Sequence, residues 1–251
     1  MVILPHRRKA FRTVSAAPSG PTDPYFSSVV LLLHADGSDG ATSTTDNSSY
    51  AATVNFFNTA RLSTTTPKYG SASLSLTAVS GSPTTSGYCE IADSNNWDFG
   101  TGDFTVECWF RTTLIVNGYN AQTFVSNYST GVGWTFRYQR TTNRLQWIWN
   151  TTVLWTSVWT PVANTWYHVA ICRSSSALYA FIDGVSQGSS VGDGTNYTGA
   201  TVPLQLGAMV NNTYPSRTNF ITGNLDDIRI TKGVARYTSN FTPPSASFPN
   251  S

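Results

Sequence analysis

Aspartate is the residue type in this sequence whose placement first suggests chemistry. The segment 223–230 has the character of a strand, and strand side chains alternate between two faces. Asp226 would then share the apolar face of Ile228 and Ile230, while Asp227 would lie on the surface beside Arg229. A buried, unpaired carboxylate is costly, so Asp226 requires either backbone amide donors or a metal ion. Both interpretations are open.

A second group of aspartates follows a short apolar run at 29–33. Asp36, Asp39 and Asp46 stand among glycines and hydroxyl residues. Aspartates in such loops either bond their own backbone in turns or supply oxygen ligands to a hard cation such as calcium. Turn chemistry is favoured for Asp39, and both roles are open for Asp36 and Asp46.

Catalytic constellations are not found in the sequence. A glycoside hydrolase needs two carboxylates beside the scissile bond, and the only glutamates are Glu90 and Glu107. Glu107 alternates along a predicted strand with Thr105 and Trp109, a pattern that favours a cross-strand ion pair. His168 has no companion nucleophile or orienting acid and is expected to be structural. The sequence therefore predicts a protein that is not an enzyme.

Aromatic residues are concentrated between residues 119 and 159. Exposed indole rings can stack on sugar rings, so tryptophans here are glycan-binding candidates. Trp147 and Trp149 share one face of a predicted strand, where a core position is favoured over a glycan platform. Trp155 and Trp159, beside turn-like Thr and Ser residues, are the candidates for exposed glycan-binding rings.

Residues 1–24 are interpreted as an extended arm that precedes a domain at 25–251. A short apolar start precedes the charges, the reverse of the order in a secretory signal, so no export signal is expected. The arm is either a disordered tail or a docking segment that becomes ordered on a partner. The residues proposed to dock on that partner are His6, Arg7, Arg8, Lys9 and Arg12.

The elements that must position these residues are strands. Short segments rich in Val, Thr and aromatic residues recur between turn signals, without helical periodicity, which is typical of a β-sandwich or barrel. Residues 182–185 (Ile-Asp-Gly-Val) predict a hairpin, because Asp-Gly suits a type I′ turn.

Composition excludes several classes of protein. A net charge of +2, without a basic stripe beyond the N-terminus, argues against nucleic acid binding. The sequence lacks an apolar run long enough to span a membrane. Three cysteines without metal-site spacing predict buried thiols, with a Cys108 to Cys172 bridge as the alternative.

Several of these stretches, taken in order, resemble the concanavalin A-like, laminin G-type sandwich in the form common in bacteriophage structural proteins. The resemblance implies an antiparallel, two-sheet jelly-roll over roughly residues 27–249, with the last strand near the first. Many relatives hold calcium at the rim, which implies calcium bound by Asp36, Asp46 and Asp226. The stretches that carry the resemblance are 30–37, 98–110, 165–170, 181–185 and 223–244.

An adhesion-type sandwich of low charge without an export signal predicts a virion protein at the particle surface, as a capsid decoration or a tail or fibre module. Its expected partners are other virion proteins and surface glycans, the latter bound weakly by many copies. A homo-oligomer is left open. The alternatives are a stand-alone carbohydrate-binding lectin and, less favoured, a glycoside hydrolase.

Overall fold

Short strands joined by turns account for nearly all regular structure in the computed structural model, which describes residues 22–113, 119–211 and 214–251. No helix in these residues is long and apolar enough to cross a bilayer. The strands are β1 (Val29–Leu33), β2 (Val54–Phe57), β3 (Arg61–Ser63), β4 (Ser73–Leu76), β5 (Tyr88–Ile91), β6 (Phe104–Thr112), β7 (Ala121–Ser129), β8 (Val132–Gln139), β9 (Arg144–Trp149), β10 (Thr152–Val158), β11 (Trp166–Ser174), β12 (Ala177–Ile182), β13 (Val185–Ser186), β14 (Val191–Gly192), β15 (Leu204–Leu206), β16 (Met209–Val210), β17 (Arg217–Thr218) and β18 (Gly223–Lys232).

Two antiparallel sheets face each other, which confirms the predicted all-β jelly-roll sandwich. The larger sheet runs β13-β12-β11-β6-β18-β4-β3, with β1 added beside β18 and β14 beside β12. The smaller sheet runs β10-β9-β8-β7-β15-β5-β2. Strands β16 and β17 form a separate hairpin. The pairing of β1 with β18 confirms that the last strand lies beside the first.

The inner faces of the two sheets form one large apolar core. Trp134 and Trp147 are fully buried there and stack with ring centroids 5.1 Å apart. The core position favoured for Trp147 is therefore confirmed.

The three cysteines are free, buried thiols, as the sequence predicted. The 182–185 hairpin is also confirmed, because β12 pairs with β13 and the two turn residues have positive φ.

Strand β18 does not keep the alternation assumed for its aspartates. Its register against β6 shifts between Asp226 and Arg229, because a β-bulge accommodates one extra residue. Asp227 adopts a positive φ of 42° at this bulge. As a result Ile228 and Ile230 point into the core, and Asp226 does not share their face. The predicted face of Asp226 was wrong for this reason.

The C-terminal segment 233–251, here called the strap, lies across the outer face of the larger sheet. Phe248 is buried against apolar residues of β1. Tyr237 and Phe241 pack on apolar residues of β11 and β12. The apolar residues on the outer face of the larger sheet are thus shielded from water by the strap, and this sheet is buried on both faces.

Ion pairs between strap and sheet surround Glu107, which is fully buried. Its carboxylate contacts Arg229 at 2.8 Å and His168 at 3.1 Å, which confirms the predicted cross-strand ion pair. Asp23 joins the same network through Arg229 at 3.2 Å and Arg236 at 2.7 Å. Asp23, at the end of the predicted arm, packs against the sandwich.

Burial alone would raise the pKa of Glu107, but Arg229, His168 and Arg236 together lower it to about 2. In an unfolded chain a glutamate has a pKa of about 4.3. The ionised network therefore stabilises the fold fully above about pH 4.3, and this stabilisation is lost as the pH falls toward the folded-state pKa.

We expect Glu107→Gln to lower the free energy of unfolding by about 3 kcal/mol, since buried Arg229 and Arg236 would then share Asp23 as their one remaining counter-charge among the described residues. Urea unfolding measures this loss, with Asp39→Asn at an exposed loop as the control. The variant should also lose less stability than the parent between about pH 5 and pH 3. Equal pH dependence in both proteins would contradict the ionised network.

Candidate ligand-binding site

The three aspartates predicted to bind calcium are held by hydrogen bonds from the protein. Asp36 accepts from the hydroxyl and the backbone amide of Ser71. Asp46 accepts four hydrogen bonds, from the amides of residues 32, 48 and 52 and from the Ser48 hydroxyl. Asp226 accepts from three amides, those of residues 68, 69 and 227.

These contacts occupy carboxylate lone pairs that a calcium ion would need. A carboxylate offers about four lone-pair positions, and those of Asp46 are all used. Burial raises the pKa of Asp226 to about 7, although the amides of Lys68 and Tyr69 act in the opposite direction. Within the described ranges, no group of three His, Cys, Asp or Glu residues could hold a metal ion. Calcium binding stays a prediction, and the amide-bonded alternative for Asp226 matches the observed contacts.

Asp227 lies in a different environment from the surface expected for it. It is 1% exposed, and its carboxylate contacts His34 Nδ1 at 2.5 Å and accepts from the Phe248 amide at 3.0 Å. The expected surface position was wrong, because the bulge turns this side chain under the strap. His34 Nε2 lies 2.7 Å from Asn250 Oδ1, so the histidine fastens the end of the strap.

Trp155 and Trp159 are not exposed rings. They are only 3% and 9% exposed and belong to the main core. Trp155 lies on β10, a strand missed from sequence, and Trp159 packs against Phe110, Tyr138 and Tyr167. The expectation that they offer a face to sugars was wrong, because the local Thr and Ser residues mark the outward positions of an edge strand rather than a turn.

The docking residues proposed in the arm, His6, Arg7, Arg8, Lys9 and Arg12, lie outside the described residues. The structure therefore leaves that prediction as it stands.

We expect Asp46→Ala to reduce the free energy of unfolding by about 3 kcal/mol, because three backbone amides lose a charged acceptor. The loss should be the same in excess calcium and in excess chelator when followed by urea unfolding. A loss that appears only in calcium would instead establish the metal site.

A different site lies on the outer face of the smaller sheet. We call it the aromatic groove, a shallow depression of about 280 Å³ beside the β16–β17 hairpin. Tyr88 on β5 forms its floor and stacks on Phe57 of β2, with centroids 4.8 Å apart. Tyr214 stands next to it with 44% of its surface exposed. The groove is lined by Asn58, Pro83, Thr84, Tyr88, Pro215, Ser216 and Arg217.

Arg217 fixes the geometry of the aromatic groove. Its guanidinium carbon lies 5.2 Å from the Tyr88 ring centre and 4.6 Å from that of Tyr214. Its Nη2 pairs with the Glu90 carboxylate and its Nε donates to Gln205 at 2.7 Å. The positive charge is thereby neutralised, and what the groove offers a ligand is aromatic surface with amide and hydroxyl groups.

Sequence reasoning did not find the aromatic groove. Tyr88 and Glu90 alternate on one face of a predicted strand, which is a usable signal for a shared outer face. Tyr214 and Arg217 come from a hairpin more than a hundred residues away, and sequence offers no signal that they cover that strand.

The two antiparallel sheets and their strand order define a lectin-like jelly-roll sandwich. A family model described as the concanavalin A-like lectin/glucanases superfamily matches residues 83–236, more than half of the chain. The chain belongs to this superfamily. No curated protein matched the sequence.

Solved structures of similar fold include domains of botulinum neurotoxins and of a mosquitocidal protein. One, from work on the entry of botulinum neurotoxin type C into cells through two ganglioside molecules, has a TM-score of 0.61 at 15% identity and covers 84% of this chain. The binding domain of botulinum neurotoxin DC, solved with rat synaptotagmin II, has the same values. The binding domain of Paraclostridial Mosquitocidal Protein 1 has a TM-score of 0.61 at 13% identity and 84% coverage. This chain spans 49%, 49% and 50% of those chains, respectively, so the likeness concerns the fold.

Proposed function

We propose that this protein is a non-catalytic recognition module that binds glycans in the aromatic groove. The observation that carries the proposal is a groove floored by Tyr88 beside the exposed Tyr214 ring, with Arg217 over both rings and Asn58 and Ser216 in its lining. Sugar rings have apolar faces that stack on aromatic rings and hydroxyl edges that bond to amide and hydroxyl groups. Structural neighbours that are themselves binding domains are consistent with such a role.

The charges of the groove favour neutral sugars. Arg217 is neutralised by Glu90, and both side chains are largely buried, so neither is free to bind a charged ligand. Weak binding at such a site becomes effective when many copies act together.

The environment of the two glutamates supports a role without catalysis. Glu90 is engaged with Arg217, and Glu107 lies beneath the strap with Arg229 and His168. A glycoside hydrolase needs two carboxyl groups facing one cleft, and these two lie on the outer faces of opposite sheets.

We further propose that the module is a virion structural protein displayed on the particle surface and anchored through residues 1–21. Asp23, to which this segment leads, lies under the strap on the outer face of the larger sheet. The aromatic groove lies on the smaller sheet, on the opposite side of the sandwich. An anchor at one face and a groove at the other would turn the groove toward the host. A stand-alone lectin is the alternative.

We expect Tyr214→Ala to weaken glycan binding about fivefold, since a stacked aromatic ring contributes about 1 kcal/mol. Binding is measured on an array of neutral and acidic glycans, followed by titration of the best neutral oligosaccharide. Tyr50→Ala removes an exposed tyrosine on another part of the surface and is the control. Equal loss in both variants, or none in either, would exclude the aromatic groove.

Deletion of residues 2–21 should abolish incorporation into particles while leaving the sandwich folded, because the deletion ends before Asp23. Particle occupancy and the thermal unfolding midpoint are the two measurements. Unchanged occupancy would contradict the anchor and favour a stand-alone lectin, whereas a lowered midpoint would show that the segment also supports the fold.

A further inference from the structure

A second groove lies on the other side of the β16–β17 hairpin. We call it the Arg137 groove, and its volume is about 230 Å³. Strands β7, β8 and β9 supply its floor, and Met209 of β16 forms one wall. It is lined by Tyr128, Thr135, Arg137, Ile148, Asn150, Thr151 and Met209. The hairpin therefore separates it from the aromatic groove.

Arg137 is only partly engaged by the protein. Its Nε donates to Gln146 Oε1 at 3.1 Å, and its Nη1 contacts the Met209 sulfur at 4.0 Å. Within the part of the chain that the structure describes, Nη2 makes no hydrogen bond. A guanidinium carries five N–H donors in a planar arrangement, so several remain for a ligand. The half-buried side chain lines the groove, where such a ligand would reach it.

The charge of Arg137 is not balanced. Arg173, Arg217, Arg229 and Arg236 each form an ion pair with a carboxylate, but Arg137 forms none with any described residue. Burial lowers the pKa of Arg137 to about 10, with only Tyr128 acting against it, so the group stays charged at neutral pH. A partly buried cation without a counter-ion is costly unless a ligand provides one.

The composition of the surrounding strands explains why none of their residues offers Arg137 a carboxylate. Between residues 108 and 182 the chain has five arginines and neither Asp nor Glu. Strands β7 to β10 fall entirely within this range. The register of β8 with β9 places Arg137 opposite Gln146 and places Arg144 two positions further along, on the same face. The central outer face of the smaller sheet is therefore positive.

We propose that the Arg137 groove binds an acidic sugar, with Arg137 pairing with its carboxylate. A single planar guanidinium matches the one charge and the two oxygens of a carboxylate, whereas a doubly charged phosphate would need further cations. Ile148 and Met209 supply apolar surface for a sugar ring, and Tyr128 and Asn150 supply polar groups for its hydroxyls. This site does not depend on the neutral-glycan site proposed at the aromatic groove.

The test uses the full chain and two pairs of probes, methyl glucuronide and methyl galacturonide, each with its carboxylate methyl ester. Esterification removes the charge and changes little else. In ligand-observed NMR titration, at least one acid should bind at least tenfold more tightly than its ester, and added salt should weaken that binding. Equal binding of acid and ester, or binding of neither acid, would overturn the proposal.

Variants locate the binding site. Arg137→Gln should reduce acid binding at least tenfold, and Arg137→Lys should retain part of it, because the charge remains and the paired donors are lost. Arg61→Gln, at an exposed arginine of β3, should change nothing. Tyr214→Ala should also leave acid binding intact. The proposal for the Arg137 groove can therefore be refuted without refuting neutral-glycan binding at the aromatic groove, and the reverse. Unchanged binding by folded Arg137→Gln, checked by its unfolding midpoint, would contradict the assignment.

Discussion

The ion pair between Glu107 and Arg229 is the constraint on which the outer layer of this sandwich depends. Both side chains project from central strands of the larger sheet, on the face that the strap covers. Because the strap excludes water from both side chains, their charges must be balanced by neighbouring protein groups. Asp23, Arg236 and His168 complete that balance. The N-terminal end of the domain, the central strands and the strap are thereby held by a single set of charges.

Strand composition and turn signals were sufficient to predict a β-sandwich or barrel, and the family resemblance narrowed this to a two-sheet jelly-roll. The strand predicted around Glu107 is β6, and the Asp-Gly turn predicted the hairpin after β12. Alternation fails where one residue is inserted. The bulge at Asp227 reverses the faces of neighbouring residues in β18, and no local pattern distinguishes it from a regular strand.

Burial by distant segments was the other limit on sequence reasoning. Trp155 has hydroxyl neighbours that suggest a turn, yet its ring fills the core from an edge strand. His34 and Asp227 are far apart in the chain and meet only because β1 pairs with β18. The two grooves share this origin, since the β16–β17 hairpin divides the outer face of a sheet formed by six earlier strands and β15. Such sites arise from topology, and a single sequence does not encode them as a motif.

The amide of Asp23 donates a hydrogen bond to the carbonyl of Ser251 at 2.5 Å, so the described chain almost closes into a ring. A short linker between these two positions would join them without disturbing the strap or its ion pairs. New ends could then be opened in an exposed turn such as 80–82, far from the charges around Glu107. The order of strands along the chain could thus be circularly permuted while the three-dimensional arrangement stays the same.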